Sequence, residues 1–166
     1  MTPFEEIRQI STQLRLLYVE DDDMVRNATL TILNEYFNSI VIAINGDDGI
    51  EKFKENEIDI IITDINMPKK NGLKMTQEIK EIDQNVPILI LSAYNETGYF
   101  MDSIRYGVEG YLIKPIDLRQ FETTLKKTVK NIQMRKENEI YKLDLEAKVA
   151  EQLKELIEKD MLISRQ

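Results

Sequence analysis

Residues 60–72, with the sequence IIITDINMPKKNG, carry the clearest structural signal in the chain. Three consecutive isoleucines and a threonine lead directly into an acid, Asp64. A continuous β-branched run is typical of a strand that is covered on both faces, as in a parallel sheet. The Met-Pro and Asn-Gly steps that follow predict a turn. We therefore expect Asp64 at the point where a buried strand ends.

Four similar apolar runs flank this one, and the central run itself extends over 58–63. They are LLYV (16–19), IVIAI (40–44), ILIL (88–91) and YLI (111–113). Between the runs, apolar residues recur at helical spacing over 24–37, 48–56, 72–82 and 99–106. This alternation predicts an α/β fold with a doubly wound, five-stranded parallel sheet over residues 14–131. Residues 1–13 are expected to be an N-terminal extension with a short helix.

Composition limits the chemistry open to the chain. Its 166 residues include no Cys and no His, which excludes disulfides, thiolate metal sites, thiol catalysis and imidazole bases. No apolar run approaches the roughly 20 residues of a membrane-spanning helix, and residues 1–15 lack an apolar signal core. We expect a cytoplasmic protein without a membrane partner, whose chemistry uses carboxylates, hydroxyls, amines and the backbone.

Charge is distributed unevenly along the chain. Residues 1–118 carry 11 Lys and Arg against 21 Asp and Glu, whereas residues 119–166 carry 11 against 9. An acidic globule is poorly suited to the phosphate backbone of DNA or RNA, so we expect no direct binding of nucleic acid. The second segment also contains no Gly and no Pro, and nothing in it interrupts a long helix.

Polar residues follow four of the five predicted strands. Glu20 and Asp21 come after the first, Asp64 after the third, Ser92 after the fourth and Lys114 after the fifth. Ligands of open α/β sheets bind beyond these carboxyl ends. Crowded carboxylates require a cation, and oxygen ligands alone favour a hard ion such as Mg²⁺. A carboxylate beside Mg²⁺, a hydroxyl and a lysine is a set suited to phosphoryl transfer.

Each of these signals also has an ordinary structural interpretation. The acids at 20–23 can cap the helix that follows, and Asp22 or Asp23 is well placed to do so. Met67-Pro68 after Asp64 is a common turn. The joint arrangement favours a site, because each polar group falls at the end of a separate strand.

Four motifs together make the chain resemble the receiver domain of two-component response regulators. They are LLYVEDD (16–22), IIITDINMPKKNG (60–72), ILILSAY (88–94) and GYLIKPI (110–116). The resemblance covers residues 14–131 and implies a flavodoxin-like receiver fold. It also implies a signalling module that is phosphorylated by a histidine kinase or a phosphotransfer protein, and is not an enzyme acting on a metabolite.

The resemblance assigns the metal site and the phosphoacceptor. Asp64 matches the aspartate that accepts the phosphoryl group. Asp21 is expected to bind Mg²⁺ directly and Glu20 through water, with Glu in place of the more common Asp. The backbone carbonyl of Asn66 is the remaining expected ligand from the chain.

The resemblance also assigns the switch and the residues that set the phosphoryl lifetime. Ser92 matches the hydroxyl that turns toward the phosphoryl group, and Lys114 matches the lysine that pairs with that group. The Lys114-Pro115 bond is expected to be cis, and Tyr111 matches the aromatic switch. Asn66 and Tyr94 match positions beside the path of the hydrolytic water, and we expect the bulky Tyr94 to slow the loss of the phosphoryl group.

The segment after Leu118 predicts one long helix. Its first stripe, suited to packing on the sheet, is formed by Phe121, Leu125, Val129 and Ile132. Over 132–166 one approximate heptad register contains Ile140, Leu143, Ala147, Ala150, Ile157 and Met161. A neighbouring stripe contains Leu145, Val149, Leu153 and Leu156. We expect a homodimeric coiled-coil linker, similar to those that lead into an output domain that the chain lacks; the alternative is a single solvated helix.

Two other classes of function compete with the signalling module. One is a Mg²⁺-dependent phosphohydrolase with Asp64 as nucleophile, although Asn66 stands where such an enzyme needs a second acid. The other is an inert dimerising scaffold that does not bind a phosphate mimic. A DNA-binding regulator is disfavoured, because no recognition element follows the predicted domain.

Overall fold

Strands and helices alternate through most of the chain. The structure is a computed structural model that describes residues 1–93 and 98–164. Its strands are β1 (Arg15–Val19), β2 (Ser39–Ala43), β3 (Ile60–Asp64), β4 (Ile88–Ala93) and β5 (Gly110–Lys114). Its helices are α1 (Pro3–Ser11), α2 (Asp23–Leu33), α3 (Gly46–Glu55), α4 (Gly72–Ile82), α5 (Phe100–Arg105) and α6 (Leu118–Ser164).

The five strands form one parallel sheet in the order β2-β1-β3-β4-β5. In the register, Leu16 lies opposite Ile60, and Ala93 lies opposite Lys114. Because all strands run the same way, their carboxyl ends meet at one edge of the sheet. The Lys114-Pro115 peptide bond at that edge is cis. The predicted doubly wound parallel sheet is therefore confirmed.

Burial separates the central strands from the edge strands. Every described residue of β3 is buried, as are the four residues of β1 after Arg15. The continuous run at 40–44 was expected to be covered on both faces in the same way, and this is wrong for its end: Ile42 and Ile44 are exposed. The reason is the position of β2 at the edge of the sheet, where only β1 flanks it.

Helix α5 lies within the range 99–106 that the helical spacing indicated. Its large apolar residues Phe100, Met101 and Ile104 are exposed, and Ser103 is the buried residue of the helix. The helix is only six residues long, which is fewer than two turns. Phe100 packs its ring against the edge of Tyr111, with centroids 5.3 Å apart. A hydrophobic surface next to β5 is the consequence.

Helix α1 is packed into the globular part of the chain. A capping box between Thr2 and Glu5 starts it, and Ile7 and Ser11 are buried. The Ser11 hydroxyl donates to the Tyr36 carbonyl at 2.5 Å, and the Phe4 ring meets the Tyr36 ring at 5.3 Å. The N-terminal extension thus contributes to the core.

The chain forms two compact units, Met1–Lys130 and the segment from Asn131 onward. The predicted stripe on α6 is buried at Phe121, Leu125, Val129 and Ile132. Further along α6 the large apolar side chains are exposed, and they include Ile140, Leu143, Leu145, Val149, Leu153, Leu156 and Ile157. No helix within 1–93 or 98–164 combines the length and the hydrophobicity that crossing a membrane requires.

Replacing Ile7 with Ala should destabilise the first unit by about 2–5 kcal/mol, because it leaves a cavity at a fully buried position. The matched control is Ile82→Ala at the end of α4, where the side chain is 51% exposed and the change should stay below about 1 kcal/mol. Urea unfolding followed by circular dichroism measures both. Equal effects of the two substitutions would show that α1 is not part of the core.

Candidate functional site

The four acids that follow β1 have two different roles. The side chain of Asp22 caps α2 by accepting a hydrogen bond from the Val25 backbone N–H at 2.9 Å, and Asp23 forms an ion pair with Arg26. Glu20 instead points into the protein and is only 2% exposed. The capping interpretation is therefore correct for Asp22. Glu20 and Asp21 are the two acids of this run that can belong to the candidate site.

Glu20 is fixed by the backbone on both sides. Its N–H donates to the Ala43 carbonyl at 3.1 Å, which continues the pairing of β1 with β2 by one residue. Its carbonyl accepts a hydrogen bond from the Arg26 guanidinium at 3.0 Å, and its carboxylate accepts one from the Asp22 N–H at 3.3 Å. The acid is therefore positioned by α2 as well as by the sheet.

Asp64 is the last residue of β3 and is 7% exposed. The Gly72 N–H donates to the Ile65 carbonyl at 2.8 Å, which brings the start of α4 against the end of β3. A Cβ on Gly72 would lie 2.1 Å from the Asp64 carbonyl oxygen. The Asn-Gly signal in the sequence thus has a physical basis here: only glycine permits this close approach.

Lys114 joins the two buried acids. Its Nζ lies 3.2 Å from Asp64 Oδ1 and 3.2 Å from Glu20 Oε2. The ammonium is itself partly buried, so the attraction is screened less than at an open surface. Residues from β1, β3 and β5 therefore meet at the carboxyl edge of the sheet, as predicted.

The carboxylates are close enough to share one ion. Oxygen atoms of Glu20, Asp21 and Asp64 all lie within 4.8 Å of one another. Asp21 is the most exposed of the three, so the cluster opens to solvent on its side. An all-oxygen donor set of this charge fits Mg²⁺. Asn66, whose carbonyl is the further expected ligand, is exposed and lies between the buried Ile65 and Met67 in the loop after β3.

Electrostatics in the cluster follow from burial and proximity. Burial raises the pKa of Glu20 above its ordinary value, and the negative charge of Asp64 raises that pKa further, against the opposing effect of Lys114. Burial alone would lower the pKa of Lys114, but the carboxylates of Asp64 and Glu20 outweigh it and raise that pKa. Without a metal ion, Lys114 therefore stays charged and neutralises part of the cluster.

The predicted switch residues lie on the two neighbouring strands. Ser92 is fully buried in β4, one residue beyond Leu91, the partner of Asp64 in the register. Tyr111 is half-buried in β5 and packs against the exposed ring of Phe100. Tyr94, the predicted lifetime residue, lies outside the described residues.

Two residues near the cluster were not predicted. Tyr18 is fully buried two residues before Glu20, hence on the same face of β1, and burial raises the pKa of its hydroxyl. The available signal was a tyrosine within an apolar run. Arg26, which binds the Glu20 carbonyl, carried no signal beyond its spacing from Asp22.

Glu20→Gln should raise the free energy of unfolding at about pH 7 without divalent cations, by on the order of 1 kcal/mol. The amide removes a buried charge that repels Asp64, while Lys114 keeps one partner. The raised pKa means that the folded state binds more protons than the unfolded state at pH values between the ordinary and the raised pKa of Glu20, so wild-type stability falls as pH rises through that range. The variant should lack this contribution.

Urea unfolding in EDTA across that pH range measures the effect. Glu57→Gln, at an exposed position between α3 and β3, controls for the loss of one negative charge. A Glu20→Gln variant less stable than wild type at neutral pH would contradict the account of the buried charge.

Comparison with known proteins gives sequence relatives of one kind. A family model described as the response regulator receiver domain matches residues 16–126. A probable transcriptional regulator, ycf27, of Cyanidium caldarium is 32% identical over 78% of this chain and 52% of its own length. Transcriptional regulatory protein MalR of Bacillus subtilis is 34% identical over 68% of this chain and 48% of its own. The chain thus spans about half the length of these curated relatives.

Solved structures agree with this picture. The N-terminal domain of an uncharacterized protein from Wolinella succinogenes has a TM-score of 0.66 at 36% identity, covering 74% of this chain and 98% of that one. A response regulator receiver domain protein from Clostridium thermocellum has the same TM-score at 22% identity, covering 73% and 98%, and shows the fold. Sheet order, acid cluster and family match together place this chain in the response regulator receiver family.

Proposed function

We propose that the chain accepts a phosphoryl group on Asp64 from the phosphohistidine of a histidine kinase or a phosphotransfer protein. The observation that carries the proposal is the meeting of three carboxylates and one ammonium at the sheet edge, with Lys114 3.2 Å from both Asp64 and Glu20. An ion pair with a purely structural role needs only one carboxylate for each lysine. A surplus of buried negative charge is instead typical of a cation site.

The chemistry follows from the roles of these groups. A carboxylate oxygen of Asp64 attacks phosphorus, an O–P bond forms, and the P–N bond to the donor imidazole breaks as its nitrogen leaves with the electron pair. Bound Mg²⁺ would supply charge neutralisation for the phosphoryl oxygens, held by Asp21, Asp64, the Asn66 carbonyl and, through water, Glu20. Lys114 pairs with the transferred group and opposes the charge that it brings.

The same geometry supports the proposed switch. Phosphorylation of Asp64 adds negative charge next to Lys114. Ser92 is one residue beyond Leu91, which lies opposite Asp64 in the sheet. The Ser92 hydroxyl turns toward that charge as a donor, and the space it leaves is taken by Tyr111, which now packs at the surface against Phe100. This is a shift between two packings of β4, β5 and α5, biased by one new charge. We place the module in the cytoplasm, where histidine kinases present their phosphohistidine.

Intact-mass spectrometry with acetyl phosphate and Mg²⁺ tests the acceptor. Wild-type protein should gain the mass of one phosphoryl group, and the gain should vanish in Asp64→Asn and in EDTA. Asp23→Asn, which removes an acid that pairs with Arg26 outside the cluster, should be phosphorylated like wild type. Phosphorylation of Asp64→Asn would overturn the assignment, and steady turnover of a phosphate ester by wild type would favour a hydrolase.

The far part of α6 supports a second proposal, that a second copy of the chain covers it. Its exposed apolar side chains over 140–163 include two neighbouring stripes, in each of which the spacing mixes three and four residues, as in a heptad repeat. A helix with such a face cannot bury it on itself, and a second copy offers an identical face of identical length in a parallel pair.

Sedimentation equilibrium of a double substitution tests this pairing. Leu153→Gln with Leu156→Gln should convert dimer to monomer, because it places amides in the apolar face. Glu151→Gln with Glu155→Gln introduces two amides in the same turns of the helix, outside the apolar positions, and should leave the dimer intact. A monomeric wild type, or a dimer unaffected by the leucine changes, would contradict the proposal. Repeating the wild-type measurement with beryllofluoride shows whether assembly depends on the phosphoryl state.

A further inference from the structure

We propose that Lys70 is a positioning residue for the metal site, because it fastens the loop 65–71 that carries Asn66 to two helices. This inference rests on the proposed function, which assigns the Asn66 carbonyl to the metal. The contacts that fasten the loop are independent of that assignment. They lie outside the acid cluster itself.

The loop is closed at its base by the backbone. The hydrogen bond from the Gly72 N–H to the Ile65 carbonyl, 2.8 Å long, joins its two ends. Within the loop, the Lys70 N–H donates to the Pro68 carbonyl at 2.8 Å, and Lys69 adopts a positive φ of 66°. These contacts set the shape of the loop. Its first half is anchored by Ile65 and Met67, which are buried in the core on either side of Asn66.

Lys70 anchors the second half of the loop with both its backbone and its side chain. Its carbonyl accepts a hydrogen bond from the Gly46 N–H, the first residue of α3, at 3.0 Å. Its ammonium lies 3.2 Å from Asp47 Oδ1 on α3 and also pairs with Glu78 on α4. One residue therefore ties the loop to the N-terminus of α3 and to the middle of α4.

The contact with α3 leaves little freedom for the loop to shift. A Cβ on Gly46 would lie 2.3 Å from the Lys70 carbonyl oxygen and 2.8 Å from its Cβ. The two backbones thus approach as closely as glycine permits. The lysine side chain is 22% exposed and pairs with both carboxylates, and its hydrogen bonds to Glu78 and Asp47 raise its pKa.

Two physical effects of removing the Lys70 charge have opposite signs. The protein already carries a formal charge of −8, and losing one positive charge makes it more negative, which by Coulomb attraction favours cation binding. Loosening the loop that holds a ligand disfavours cation binding, because the ligand must then be ordered when the ion binds. The direction of the change therefore separates positioning from simple electrostatics.

Calorimetric titration of Mg²⁺ into the full chain gives the test. Lys70→Met keeps most of the side-chain stem and should weaken Mg²⁺ binding by about three- to tenfold. Lys52→Met is the matched control, since Lys52 pairs at 3.9 Å with Asp48 inside α3 and does not touch the loop. This control should bind Mg²⁺ as tightly as wild type or slightly more tightly.

Amide hydrogen exchange without metal supplies the second measurement. Exchange over 66–71 should be faster in Lys70→Met than in wild type, and unchanged in Lys52→Met. Equal or tighter Mg²⁺ binding by Lys70→Met, or unchanged exchange in the loop, overturns the role of Lys70. A wild type that binds no Mg²⁺ overturns the proposed function instead, and the exchange measurement still tests the fastening.

Discussion

Two carboxylates held together in a nearly buried place are the constraint around which this domain is arranged. Glu20 and Asp64 repel each other and are deprived of solvent, so each destabilises the other in its charged form. Lys114 compensates for part of this cost with one ammonium between them. The remaining negative charge is the physical basis of the proposed affinity for a divalent cation. Keeping these charges buried lowers the stability of the domain, as is common at functional sites.

The order of the strands determines which side chain can provide the compensation. β1 and β3 are neighbours, so Glu20 and Asp64 lie side by side and neither side chain has to extend far to approach the other. β5 is separated from β3 by β4, which places its backbone about two strand spacings, roughly 10 Å, from β3. A flexible four-carbon stem with a compact charge spans that distance, whereas a short side chain on β5 does not. Lys114 is therefore specified by topology as much as by charge.

The sequence predicted those features that depend on local pattern. The apolar runs located all five strands, and the polar residues directly after them located Glu20, Asp64, Ser92 and Lys114. Features that depend on which other strand or helix packs against an element were not predicted. The run at 40–44 contains nothing to show that β2 lies at an edge, and the spacing of Phe100, Met101 and Ile104 indicates a helix without showing what covers it. Lys70 within MPKKNG likewise gives no indication of its partners on α3 and α4, because these pairs join residues far apart in the chain.

Helix α1 shows that the domain extends beyond the segment that the family shares. The family model begins at residue 16, yet α1 buries Ile7 and packs Phe4 against Tyr36, whose ring contacts Phe121 of α6 at 5.5 Å. The Tyr36 hydroxyl donates to Glu122, and Glu6 pairs with Lys126 at 2.8 Å. These contacts connect α1, the turn after α2 and the first turns of α6. The first turns of α6 are therefore anchored through α1, which lies outside the family model, and the change in packing proposed at β4 and β5 would act on a helix that is already held there.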